Sequence, residues 1–159
     1  MTVYYVLYLL IGWAYVSVYG TPMREEKRRK LLCGGSFLLV FLLFSLRHPS
    51  MGVDLGYGNS YGYLANFLRI ANMSWSRALF ANVVNYERGY ILFNKLISLI
   101  SDNQQVLLVC SAFVSIFPVF YVIYKESKYP LVSVFVFMGL PSFMILFSGI
   151  RQAIAVGIC

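Results

Sequence analysis

The 159 residues are 60% hydrophobic and 18% aromatic, with 12% charged and a formal net charge of +7. A soluble domain usually carries about 25% charged residues, so this balance, with a mean hydropathy of +0.72, excludes an ordinary soluble fold and points to an integral membrane protein. Most of the excess cations stand in short segments beside apolar runs, which is a topology signal and not a nucleic-acid footprint.

In chain order, the first apolar run covers residues 3–19, about 25 Å of helix, just enough to span a bilayer with aromatic ends. No Lys or Arg precedes it and no small-x-small pattern follows it, so it reads as a retained span and not as a signal peptide. Between Arg24 and Lys30 come five cations in seven residues. Such a cluster in a short loop belongs on the cytoplasmic side, as a solvated face or an anchor to anionic lipid. The N-terminus is then extracytoplasmic. Residues 31–46 form the second span, with Gly34-Gly35-Ser36 offering close helix contact, and deliver Arg47 to the outer face. The third run is 106–124, interrupted by Pro118. Lys125-Glu126-Ser127-Lys128 makes a second basic cytoplasmic loop. The fourth run is 131–147, where Gly139-Leu140-Pro141 predicts a kink. Residues 150–159 look like the start of a fifth span, too short to cross about 30 Å, so the chain is expected to be the N-terminal part of a longer protein, one membrane domain over 1–159.

The 47–105 insert holds three of the six acidic residues and five of the thirteen basic ones. Gly52, Gly56, Gly58 and Gly62 with Asn59 and Ser60 predict a flexible entry loop. Tyr63, Leu64, Phe67, Leu68 and Ala71 recur at helical spacing. From Tyr90 to Ile100 a second helix is expected, with a polar stripe of Asn94, Lys95, Ser98 and Ser101 against Ile91, Leu92, Phe93, Leu96, Ile97, Leu99 and Ile100. Glu87 would stand just before or in its first turn, where the dipole favours a carboxylate. At roughly 11 residues that segment is too short to span. The expected class is therefore all-α: a polytopic transmembrane helical protein with a long extracytoplasmic loop carrying short interfacial or re-entrant helices.

For chemistry, the chain offers no His/Cys cluster, P-loop, Gly-x-Ser-x-Gly or dinucleotide fingerprint. Cys33, Cys110 and Cys159 read as lipid-embedded thiols, His48 as an interfacial polar residue, and no metal site is expected. What remains on the outer face is Arg47, Asp54, Glu87, Arg88 and Arg151. Arginine's planar fork suits phosphate oxygens, and a carboxylate shielded from bulk water can act as a general base. Arg47 and Arg151 also read as snorkelling anchors at span ends, Asp54 as a turn former and Glu87 as a helix-start charge. Spacing alone leaves the function open.

Three pieces in order carry a resemblance: Leu46-Arg47 with Gly52-Val53-Asp54 and Tyr61; Glu87-Arg88-Gly89-Tyr90 with Asn94-Lys95-Leu96-Ile97; and Gly149-Ile150-Arg151-Gln152-Ala153-Ile154-Ala155. Across essentially its whole length the chain resembles the N-terminal part of the EpsG family, Wzy-like polymerases of bacterial exopolysaccharide and capsule. It departs from the family pattern at Val53 (threonine there), Arg88 (proline) and Ser148 (often asparagine). The resemblance implies a glycosyltransferase of the bacterial cytoplasmic membrane that needs neither metal nor cofactor. It would transfer glycan from undecaprenyl-diphosphate-linked oligosaccharide to a sugar hydroxyl on the outer face. It further implies Arg47 and Arg151 on the departing diphosphate, Asp54 or Glu87 as base, and Arg88, Tyr61 and Gln152 as substrate contacts. Partners would be the lipid-linked oligosaccharide, the bilayer and other polysaccharide synthesis or export proteins, with no nucleic acid. A lipid-linked oligosaccharide transporter or flippase, or a non-catalytic member of a synthesis complex, are the alternatives.

Overall fold

A computed structural model describes residues 2–48, 55–56, 62–80 and 85–158. Among them the chain is all-helical: α1 Thr2–Tyr19, α2 Glu25–Ser45, α3 Tyr63–Ala71, α4 Trp75–Phe80, α5 Arg88–Ser98, α6 Gln104–Glu126, α7 Pro130–Gly139, α8 Pro141–Ser148 and α9 Ile150–Ile158. By length and composition, α6 alone among the described residues is long and apolar enough to cross a membrane; the apolar stretches Tyr5–Tyr19 and Pro130–Gly139 are shorter.

The scaffold is the antiparallel pair α2 and α6. Glu25 and Glu26 occupy the first turn of α2, where carboxylates complement the helix dipole, and Glu26 reaches one turn on to Lys30 at 2.7 Å. At that end Arg29 Nη2 donates to Ser127 O at 2.8 Å, just past the end of α6. At the other end Gln105 in the first turn of α6 donates to the carbonyl of Ser45. Asn103 caps α6, accepting from Gln105 N at 2.8 Å as N-cap side chains do. Between these ties Val40, Phe44, Ala112, Ile116 and Phe120 are buried, and the Phe37 ring meets Phe113, Phe117 and Phe120 edge-on. Pro118 does not interrupt the helix: α6 runs through it.

Two sequence expectations about the spans need correction. The bend foreseen at Gly139-Leu140-Pro141 is a full break. Leu140 is extended at φ −76°, ψ 144°, as the residue before a proline prefers, and Pro141 opens a separate helix at the position proline tolerates best. Phe143 then packs α8 back on the core, its ring 5.2 Å from Phe44 and 5.4 Å from Phe137. Gly34 and Gly35, expected to admit a close helix, are exposed. A Cβ at either would meet nothing within 4 Å, so among the described residues no other helix packs against them. Cys33 is buried and Cys110 half-buried, both as free thiols; Cys159 lies outside the described residues.

A second core sits at the end of the scaffold where α6 begins. Leu55, Leu64, Phe67, Ile97, Leu107, Ile150 and Ile154 join α3, α5, α6 and α9 there. Entry to α3 depends on Gly62, whose φ of +142° and neighbours exclude a side chain: an added Cβ would lie 2.5 Å from Gly56 Cα. The other glycines of the expected entry loop, with Asn59 and Ser60, lie outside the described residues, except Gly56.

Helix α5 corrects the reading of its faces. Asn94 and Lys95 of the expected polar stripe are buried, while Leu92, Leu96, Leu99 and Ile100 are exposed. The reason is local satisfaction of backbone acceptors. Lys95 Nζ donates to the carbonyls of Ile70 (3.2 Å), Ala71 (2.8 Å) and Met73 (2.7 Å), closing the C-terminal end of α3. Asn94 Nδ2 donates to Tyr90 O at 2.7 Å. The buried face of the helix therefore mixes Asn94 and Lys95 with Ile91 and Ile97, and Leu92, Leu96, Leu99 and Ile100 point outward.

Candidate functional site

The site forms where α9, α5 and α3 converge on the second core. Gly149 ends α8 and the chain restarts one residue later as α9, which puts Arg151 in the first turn of α9. The buried neighbours Ile150, Ala153 and Ile154 hold that turn down. Glu87 is the N-cap residue of α5 with extended backbone, but its side chain makes no capping bond. It turns instead to Arg151, whose Nη1 donates to Oε1 and Oε2 of Glu87 at 3.0 Å each. Sixty-four residues separate the partners.

Tyrosines surround this pair. Arg151 Nε donates to Tyr63 Oη at 3.2 Å. The guanidinium carbon stands 4.8 Å from the Tyr86 ring centre and 5.7 Å from that of Tyr63, within the range where a cation is drawn to a ring face. Tyr63, Tyr86 and Tyr90 contact one another with centroids 5.3–5.8 Å apart, and Asn66 Nδ2 donates to Tyr86 Oη at 2.8 Å. Arg151 is therefore fixed in direction by a carboxylate, a hydroxyl and a ring. Among the described residues its Nη2 makes no hydrogen bond, so one edge of the fork remains for a ligand.

Of the two acids expected as alternatives for the base, Glu87 lies among the described residues and Asp54 does not. The Glu87 carboxyl is held below the ordinary glutamate range by its own backbone amide and by Arg151. As placed, the Glu87 carboxylate is the ion-pair partner of Arg151. Burial pushes the Tyr90 phenol far above its ordinary range, which keeps it neutral.

Arg47 is buried just beyond the end of α2 and does not snorkel. It lines a small cavity with Ser111 and Ser115 of α6 and with Ile150 and Ala153 of α9, so the first turn of α9 brings Arg47 and Arg151 to the same end of the molecule. Arg88 is exposed at the start of α5 and makes no hydrogen bond or ion pair with the described residues. Gln152 is exposed and folds over Gly149, where an added Cβ would come within 3.0 Å of its Oε1. Asp54 and Tyr61 lie outside the described residues. Among those described, no group of three or more His, Cys, Asp or Glu side chains offers a metal site.

The sequence marks Tyr63 and Tyr90 only as helix and motif positions and Tyr86 not at all, and none of the three was expected in the site. Thirteen tyrosines in an aromatic-rich chain hide three that converge. The available signal was position: Tyr86 and Tyr90 flank Glu87, and Tyr63 starts the amphipathic stretch of α3.

No curated protein and no solved structure matches the chain. The EpsG family does, over residues 30–159, from Lys30 within α2 through the whole of α9, so that Arg47, Glu87 and Arg151 all lie inside the matched segment. With most of its length matched, the chain belongs to the EpsG family, a family of polysaccharide-related membrane proteins.

Proposed function

We propose that this protein works as a membrane polymerase of bacterial exopolysaccharide or capsule, transferring glycan from an undecaprenyl-diphosphate-linked repeat unit to a sugar hydroxyl on the outer face of the cytoplasmic membrane. The observation that carries the reading is Arg151, clamped by Glu87 and Tyr63 with an edge of its guanidinium left over. A departing diphosphate needs a cation aimed where charge develops and already fixed there, and arginine's charge does not titrate away.

The spans α1, α2, α6 and α7–α8 cross the membrane in this reading, with the N-terminus outside. The α2–α6 pair supports it: from Arg29 to the end of α2 the helix rises about 25 Å, close to a hydrocarbon core of about 30 Å. The basic loops gather at one end of the pair and Arg47 with Arg151 at the other. The outward Leu92, Leu96 and Leu99 of α5 suit a helix lying against lipid.

Arg151 and Arg47 neutralise the diphosphate. Asp54 takes the acceptor proton, and Glu87 orients Arg151, which narrows the earlier choice between the two acids. Arg88, Gln152 and Tyr61 contact the substrate. The test is Arg47→Ala and Arg151→Ala in the full-length protein, reading polymer yield and chain length. Loss of long polymer from both is expected. If polymer amount falls at unchanged repeat number, the protein is a transporter; if neither changes, it is a non-catalytic partner. Arg151→Lys should not restore activity, since a point charge cannot keep Glu87, Tyr63 and phosphate at once.

A further inference from the structure

The end of the molecule opposite this site holds a cavity of about 560 Å³ between the end of α1, the start of α2 and the start of α7. Three cations line it, Arg28, Arg29 and Lys128. Arg28 lies 4.6 Å from the Tyr19 ring centre, and Arg29 is tied to Ser127. The Nε atoms of both arginines are buried with no hydrogen-bond partner among the described residues. Two helices also begin in the wall, α2 and α7, and neither N-cap residue, Arg24 or Tyr129, provides a side-chain cap. Free first-turn amides and the positive dipole end both favour an anion.

The wall carries two carboxylates as well, Glu25 and Glu26. Glu26 is occupied by Lys30 at 2.7 Å, but Glu25 limits the charge the cavity tolerates, favouring a singly charged phosphodiester over a phosphate monoester or free phosphate. The apolar side of the wall points to a lipid: Val132 and Tyr129 line the cavity and yet are 58% and 65% exposed, so it opens directly onto the outward apolar surface of α7. A headgroup can enter while its acyl chains lie along that surface.

We propose that this cavity binds the phosphodiester headgroup of an anionic phospholipid in the leaflet at the basic end of α2. Such a lipid ties α1, α2 and α7 together at the end away from the catalytic residues.

The experiment uses the full-length protein in mild detergent, titrated with short-chain phosphatidylglycerol, short-chain phosphatidylcholine and inorganic phosphate, with bound adducts read by native mass spectrometry. Phosphatidylglycerol should bind in preference to the other two. Arg28→Ala and Lys128→Ala should each weaken it about fivefold or more, the usual share of one cation near an anionic lipid. Lys27→Ala, in the same basic run but off the cavity wall, should leave it unchanged. Among the described residues Lys128 makes only a ring contact with Tyr129, so its loss does not threaten the fold. Equal weakening by Lys27→Ala would mean diffuse attraction to the basic loop and overturn the site. So would equal binding of inorganic phosphate or phosphatidylcholine, or indifference to both cavity variants.

Discussion

Lys95 supports the sharpest stability prediction. A lysine amine has three donors, and here three backbone carbonyls take them, those of Ile70, Ala71 and Met73. Lys95→Met keeps most of the buried stem and removes only the donors. A buried acceptor left unsatisfied costs about 1–3 kcal/mol. Ile70 O keeps a partner, since it also accepts from Met73 N at 3.2 Å, whereas Ala71 and Met73 are half-buried and their carbonyls can recruit water only in part. The remaining cost is about 1–3 kcal/mol. At about 2–4 °C per kcal/mol for a chain of 150–250 residues, the midpoint should fall by roughly 2–12 °C. Trp75, whose ring centre lies 5.8 Å from Lys95 Nζ, supplies a local probe once Trp13 is replaced by Phe. Thermal unfolding of the purified protein in detergent, followed by Trp75 emission, should show the lower midpoint. An unchanged midpoint and an unchanged emission maximum would refute the idea that Lys95 closes the α3 end.

Other outcomes follow from single contacts. Gly62→Ala places a Cβ 2.5 Å from Gly56 Cα at φ +142°, so it should destabilise by at least the roughly 1–3 kcal/mol of a strained residue, read as a lower unfolding midpoint. Phe67→Ala empties a fully buried position in the second core and should cost about 3–5 kcal/mol by the same measurement. Glu87 has its folded pKa depressed, so its tie to Arg151 is complete above the unfolded glutamate value, about 4.3, and is lost as pH falls through the lower folded value. Polymerisation in membrane vesicles should therefore show no loss assignable to Glu87 between pH 5 and 8. Glu87→Gln should lower polymer yield while leaving the unfolding midpoint in place, because an exposed pair adds little to stability. A limb in the wild-type profile near neutrality that disappears in Glu87→Gln would restore Glu87 as the base.

How much of this could be read from the residues depended on which physical signal each feature leaves. Long apolar runs and basic loops mark α1, α2 and α6 because length and charge survive in one dimension. The break at Leu140 was foreseeable in place but not in degree, since a proline's neighbours decide whether a helix bends or restarts. Helix α5 was foreseen, but not that Asn94 and Lys95 of its polar stripe would be buried beside Ile91 and Ile97. Period alone says that a helix has two faces; it does not say that carbonyls at the end of α3 draw Lys95 inward. For the site, Arg47, Glu87 and Arg151 stood out as charges in an apolar chain. Their arrangement did not, because nothing in the sequence links Glu87 to a residue sixty-four positions on. The tyrosines left only their positions beside Glu87 and at the start of α3, not their convergence.

That Arg151 is tethered has a consequence for how it can act. A free arginine on a helix surface gives up much rotamer freedom when it grips a phosphate; both long cationic side chains hold about 2 kcal/mol of such entropy. Here Glu87, Tyr63 and the Tyr86 ring have already fixed the guanidinium, so that loss is incurred on folding and not at each encounter. The same carboxylate tempers the field. A bare cation would hold the starting diphosphate ester as firmly as the departing diphosphate, and equal grip on both does not accelerate transfer. In the reaction proposed above, Arg151 would meet the negative charge that accumulates on the leaving oxygen as the glycosidic bond breaks, with Glu87 as the group that aims it and proton removal left to another residue.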